Sequence, residues 1–310
     1  MEDKIEIMDL LQNRQLLEYK LESLIYGAVE IRERDNKKYI YVHYRENGIS
    51  LTKYVGEYSE GLYNLILNNS IEAKKIKKEL REISKKLKEL NYKETELNPK
   101  VELNIDFAKR HLVDTIYKQA ILEGVATTFA DTESIIEGGK VNNMTSEDIM
   151  KVVNLKHAWE FILNKNVILS ETNSSLLCQI NKFVEEGFYY SAGKIRSVPV
   201  TIGGTKWAPS LPIESIIKEE LEDILKKDIN DVDKAIELLL YVMKKQIFID
   251  GNKRTAIIFI NHYLISKGKG IIVIPAELTE EFKKILIQYY EGKDEKKIKE
   301  FIKEKCYMSI

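Results

Sequence analysis

The chain has 310 residues, 44% of them hydrophobic and 31% charged, a balance that excludes a disordered chain and fits one large domain or a main domain with a smaller companion. Lys plus Arg number 48 against 49 for Asp plus Glu, so the net charge of −1 excludes an overall field for nucleic acid and leaves only local patches. No apolar run approaches the roughly 18 residues of a membrane span, so no membrane association is expected.

At the start of the chain, MEDKIEIMDL carries no apolar core of signal-peptide type. Residues 37–56, KKYIYVHYRENGISLTKYVG, place aromatic and β-branched residues on both sides of Asn47-Gly48, a strong hairpin signal. IEAKKIKKELREISKKLKEL (71–90) predicts a basic helix with Ile71, Ile76, Leu80, Ile83, Leu87 and Leu90 on one stripe. Its lysines interleave with glutamates, so the plain expectation is a solvated face; a weak nucleic-acid or partner surface is the other. Polar NYKETELNPK (91–100) is a linker candidate and divides an N-terminal domain, 1–95, from a second domain, 96–310.

Beyond the linker the period is helical. FAKRHLVDTIYKQAIL (107–122) predicts one helix, and TSEDIMKVVNLKHAWEFIL (145–163) another, capped by Thr145 or Ser146. Residues 174–188 and 231–248 predict a third and a fourth, and the last thirty residues one or two more. KIRSVPVTIGGTKWAPSLP (194–212), rich in Gly, Pro and β-branched residues, predicts an irregular hairpin. Cys178 and Cys306 match no zinc or redox spacing and fit a reducing interior, so a cytoplasmic protein is expected. The expected fold class is mostly α: a helical bundle with a small β-hairpin, plus a small N-terminal domain of hairpin and long helix.

IFIDGNKRTAIIFI (247–260) sets Asp250, Gly251, Asn252, Lys253 and Arg254 between apolar runs. Asp-Gly is a good tight-turn pair, so one reading is a hairpin. The other is a helix, a tight loop and a new helix starting near Thr255, with backbone N–H groups and the helix dipole aimed at a phosphate. Lys253 and Arg254 would add charge, and Asp250 could hold Mg²⁺. On physical grounds alone the two readings stand level.

QIFIDGNKRTA (246–256) resembles the signature loop of the Fic family (the Fic/Doc superfamily), whose pattern is H-x-F-x-[D/E]-G-N-x-R-x-x-R. Phe248, Asp250, Gly251, Asn252 and Arg254 match at the right spacing. QAILEGVATT (119–128) is similar to the family's inhibitory segment. NLKHAWEFIL (154–163) resembles its next helix, and AGKIRSVPVTIGG (192–204) its flap, so the resemblance is colinear over residues 100–305.

The resemblance implies a protein nucleotidyltransferase that moves AMP from ATP to a hydroxyl of a target protein, with a histidine as general base. Backbone at Gly251 and Asn252 would form the anion hole, Lys253 and Arg254 would meet phosphates, and Asp250 would hold Mg²⁺. Phe248 would anchor the loop in the core. Val200, Thr201, Ile202, Gly203 and Gly204 would form the flap strand that pairs with the target backbone. Glu123, with Gly124 at the end of an inhibitory helix near 107–124, would obstruct the γ-phosphate. The implied cofactors are ATP or another nucleotide with Mg²⁺, and the implied partners are that nucleotide and an unidentified protein target; a homo-oligomer is compatible.

The chain departs from the pattern at several positions. The base position is Gln246, whose amide cannot take up a proton near neutral pH. None of His43, His111, His157 and His262 is placed to substitute. Ile257 stands in place of the second arginine, which leaves Glu123 without its usual partner, and Gln119 stands where the inhibitory segment has Ser or Thr. Tyr290 occupies a place where many relatives carry an adenine-pocket asparagine. The Lys253-Arg254 wording matches the Doc-like branch that transfers phosphate. The expectation is therefore a nucleotidyltransferase with impaired or altered chemistry. Its alternatives are a catalytically inactive nucleotide-binding regulator, Doc-like phosphate transfer, or a binding module acting through the N-terminal domain.

Overall fold

The computed structural model describes residues 2–34, 37–46, 49–92, 97–142 and 144–310. They fall into two compact units, Met1–Lys93 and Glu94–Ile310.

In the first unit, α1 (Glu2–Ser23) precedes a three-stranded antiparallel sheet, β1 (Ala28–Arg34), β2 (Lys37–Glu46) and β3 (Ile49–Glu57), and then α2 (Glu60–Glu89). The predicted hairpin strands are β2 and β3, paired with Tyr41 opposite Tyr54; their Asn47-Gly48 turn lies outside the described residues. Period-2 alternation turns Ile40 and Val42 inward onto Ile66 of α2. α2 begins at Glu60 rather than Ile71, because Ser59 caps it, its Oγ accepting from Leu62 N at 3.2 Å. Ile76, Ile83 and Leu87 are buried as predicted, but Ile71 is exposed: it lies two residues from buried Ala73, about 200° around the helix.

The second unit is helical: α3 (Pro99–Arg110), α4 (Leu112–Leu122), α5 (Phe129–Ile136), α6 (Ser146–Leu163), α7 (Lys165–Ile168), α8 (Ser174–Val184), α9 (Glu214–Lys226), α10 (Asp231–Lys245), α11 (Asn252–Ser266), α12 (Thr279–Tyr290) and α13 (Glu295–Lys305). Two short strands, β4 (Ile271–Ile272) and β5 (Tyr307–Met308), pair antiparallel. The protein is thus mostly helical with a small antiparallel β component, as the sequence predicts. α11 is apolar almost all round and forms the centre of the unit, packed by α10, α8, α6 and α3.

Thr145 caps α6, its Oγ1 accepting from Asp148 N at 3.1 Å. The helix predicted over 107–122 is broken at His111, whose Nδ1 lies 2.9 Å from Phe107 O and competes for a ladder carbonyl. Residues 194–212 form an irregular segment rather than a paired hairpin. Among the described residues no helix is long and apolar enough to cross a membrane.

Candidate functional site

The helix–loop–helix reading of 246–254 is the correct one. α10 stops at Gln246, which takes the left-handed conformation (φ 49°, ψ 62°) and donates its N–H to Val242 O at 3.2 Å. Ile247 and Phe248 then turn into the core, so Phe248 anchors the loop as the resemblance implies. α11 restarts at Asn252, three residues ahead of the predicted Thr255, with Gly251 as its N-cap.

The loop is held by two asparagines. Asn252 closes it from inside: Oδ1 accepts from Phe248 N at 2.9 Å, while Nδ2 donates to Phe248 O at 2.9 Å and to Gln246 Oε1 at 3.2 Å. Asn181 of α8 clamps it from outside, donating to Asp250 O at 3.2 Å and Thr255 Oγ1 at 3.1 Å. Gly251 is obligatory twice. Its φ is +72°, and a Cβ there would stand 2.3 Å from Glu185 Oε1. No side chain caps α11, so the dipole's positive end and its first N–H groups have no side-chain acceptor.

Five charges gather on this loop. Arg254 is 3% exposed; its Nη2 lies 2.9 Å from Glu185 Oε1 and 3.7 Å from Asp250 Oδ1, and its Nε 3.4 Å from Glu123 Oε2. Lys253 Nζ lies 3.1 Å from Glu123 Oε1. The sequence led to the expectation that Glu123 lacks a partner because of Ile257. Instead Lys253 and Arg254 supply one, a turn earlier on α11, while Ile257 is buried in the core. Even so, Arg254 Nε and Nη1 are buried without a hydrogen-bond acceptor. Burial pushes the Glu185 carboxyl up to about 7 against the pull of Arg254, with Asp250 and Glu123 adding to the rise.

Gln119 couples the end of α4 to this loop. Its Nε2 donates to Arg254 O at 2.9 Å and its Oε1 accepts from Trp159 Nε1 at 3.0 Å. The residue at the departed Ser/Thr position is therefore a buried strut. Glu123 follows at the C-cap of α4, and Gly124 continues the chain with φ +78°.

On the other side, Arg196 ties the 194–212 segment to the loop. Its Nε donates to Gln246 O at 2.5 Å, Nη1 to Val198 O at 2.8 Å and Nη2 to Ser210 O at 2.7 Å. Arg196→Met is expected to cost about 2 kcal/mol in urea unfolding and to speed amide exchange at 246–248, since three carbonyls lose a charged donor. Thr201, Ile202, Gly203 and Gly204 lie exposed or half-buried beyond it, after half-buried Val200. Thr205 Oγ1 reaches Glu291 Oε1 at 3.0 Å. Tyr290 is buried and stacks on Trp207, ring centroids 5.5 Å apart. A cleft of about 420 Å³ opens beside Trp207, walled by Tyr241, Lys244 and Tyr289 rather than by the loop.

No histidine joins this group. His262 is fully buried, its Nε2 2.9 Å from Val167 O and its Nδ1 3.1 Å from Thr172 Oγ1. His157 faces Glu186 at 4.0 Å, and His111 stays with Phe107. His43, in the first unit, pairs with Glu30. Sequence reasoning assembled Asp250 through Arg254 and Glu123 but missed Glu185. In FVEEGF it is one of two adjacent glutamates, and nothing in the sequence says which is buried.

This is a helical fold with a tight Asp-Gly loop between two core helices. Residues 171–264 match the family model described as Fic/DOC family. Among solved structures, Fic-1 of C. elegans is similar at TM-score 0.52 and 16% identity, over 78% of this chain and 79% of that one. A Fic domain containing signaling protein of Bacteroides thetaiotaomicron VPI-5482 is similar at TM-score 0.50 and 21% identity, over 62% and 75%. These likenesses establish the fold. No curated protein matches the sequence.

Proposed function

We propose that the domain binds ATP by its phosphates on the Gly251–Arg254 loop and transfers AMP to a hydroxyl of a target protein, the α–β phosphoanhydride bond breaking to release pyrophosphate and the hydroxyl proton passing to solvent, at a rate reduced by Gln246. The observation that carries this is the guanidinium of Arg254: 3% exposed, with Nε and Nη1 lacking acceptors, beside a helix N-terminus that no side chain caps. A phosphate would satisfy both.

Asp250 presents the loop's carboxylate, its side chain 51% exposed, and among the described residues no group of three or more His, Cys, Asp or Glu could hold an ion by itself. A cation held by one carboxylate and phosphate oxygens suits Mg²⁺, which would neutralise charge on the polyphosphate. The target backbone would run along Val200–Gly204. Gln246 can orient the attacking hydroxyl but cannot take its proton. Glu123, on Lys253 and Arg254, occupies the charges a phosphate needs, so the rest state is an obstructed one.

A second reading, a nucleotide-binding regulator without transfer, is favoured by the state of the Gln246 amide. Nε2 is spent on Met243 O at 2.6 Å and Oε1 on Asn252. Incubation with ATP labelled at the α- or γ-phosphate separates the cases. AMP transfer labels protein only from the α-position, and phosphate transfer only from the γ-position. No label from either, with an ATP·Mg²⁺-dependent rise in melting midpoint, leaves the regulator. At ATP about 100-fold over Kd, that rise corresponds to about 2.7 kcal/mol. A flat midpoint overturns nucleotide binding altogether.

A further inference from the structure

We propose that Glu185 is a positioning residue for Arg254, holding the guanidinium by Nη2 so that its remaining donors face an incoming phosphate. The proposal rests on the phosphate reading of the loop given above.

Arg254 meets three carboxylates with unequal hold, Asp250 the farthest at 3.7 Å from Nη2. Glu185 Oε1 lies 2.9 Å from Nη2 as an ion pair, with both side chains 3% exposed and no hydrogen bond to that oxygen. Glu123 meets it at 3.4 Å, is 12% exposed at a helix end and is shared with Lys253. An arriving phosphate therefore displaces Glu123 and leaves Glu185 in place. A guanidinium is a planar fork of fixed donors, so fixing one terminal nitrogen fixes the directions of the others.

Glu185 is itself immobilised by the fold. It caps α8, donating its N–H to Asn181 O at 2.9 Å. The same Asn181 grips the loop through Asp250 O and Thr255 Oγ1 and accepts from Gly193 N at 2.9 Å. The Glu185 carboxylate fills the space left by the missing Cβ of Gly251. Carboxylate, guanidinium and loop backbone thus form one rigid assembly, the support that a phosphate-orienting arginine requires.

The test is ATP·Mg²⁺ affinity by calorimetry on the full chain, for wild type, Glu185→Asp, Glu185→Gln and Arg254→Lys. Aspartate keeps the charge but is too short to reach Nη2; glutamine keeps the length and an acceptor. Affinity is expected to fall about tenfold in Glu185→Asp and to stay within about threefold of wild type in Glu185→Gln. In an Arg254→Lys background, Glu185→Asp should change affinity no further, because the guanidinium it acts through is gone. Unchanged affinity in Glu185→Asp with only a lowered melting midpoint would make the residue merely structural and overturn the proposal. Tighter binding in both single variants would make Glu185 a competitor of phosphate, which also overturns it. Additive losses with Arg254→Lys do the same. Failure of wild type itself to bind ATP would remove the phosphate reading first, and the proposal with it.

Discussion

Gln246→His is expected to raise AMP transfer by about 10²–10⁴-fold, the usual worth of a positioned general base. The surroundings of position 246 suit the substitution. The backbone there is left-handed, a region in which histidine is among the better-tolerated non-glycine residues. Its carbonyl is held by Arg196, and its side chain already faces Asn252 at the head of the loop. What the wild-type chain lacks is a group of intermediate pKa, since an amide neither gains nor loses a proton in this range. The measurement is initial-rate incorporation of α-labelled ATP into protein, with and without the substitution. Adding Glu123→Gly should raise the rate further, by freeing Lys253 and Arg254. A Gln246→His protein that binds ATP yet labels no faster than wild type would show that the missing base is not the limit.

The second large effect is acid lability from His262. Burial depresses its pKa to about 4 from an ordinary 6.5. Below pH 6.5 the unfolded chain takes up a proton that the folded chain refuses. The stability present above pH 6.5 is therefore lost as pH falls toward 4, by about 3 kcal/mol. His157, also depressed to about 4 by burial, adds in the same direction. Glu185 works the other way: its raised folded value means that stability is lost as pH rises from its ordinary 4.5 toward 7. The slope of the whole protein is muted by that opposition, so the comparison must be with His262→Gln. Wild type should lose about 3 kcal/mol more than the variant between pH 7 and pH 4 in urea unfolding. Equal losses would mean that His262 is protonated in the folded state.

Much of this was legible in the sequence because local chemistry decided it. Thr145 caps a helix where a Thr precedes acidic residues and an apolar period, and Phe248 goes inward because the loop is flanked by core helices. The order Asp250, Gly251, Asn252 specified the loop once the strand alternative was set aside. What was illegible depends on partners far along the chain. Whether Glu185 or Glu186 is the buried one is settled by α11 packing on α8. Gln119, read as a departure, is a strut only because Arg254 O and Trp159 Nε1 converge on it. The new partner of Glu123 follows from the same long-range geometry: spacing tied it to position 257, but the end of α4 meets α11 at its first turn. The break at His111 and the exposure of Ile71 are shorter-range failures, from a side chain competing with the helix ladder and from a helix whose true start sits eleven residues earlier.

Main-chain amides at 252 and 253 and the guanidinium of Arg254 are expected to receive a polyphosphate, since the Gly251 amide already donates to Asp250 Oδ1 at 2.7 Å. A crystal structure of the Glu123→Gly protein grown with ATP and Mg²⁺ tests it directly. Phosphate oxygens are expected within hydrogen-bond distance of those amides and of Arg254 Nε or Nη1, with Asp250 on the cation. Nucleotide seated instead in the cleft beside Trp207 and Lys244, or a loop still occupied by protein carboxylates with no nucleotide bound, would contradict it.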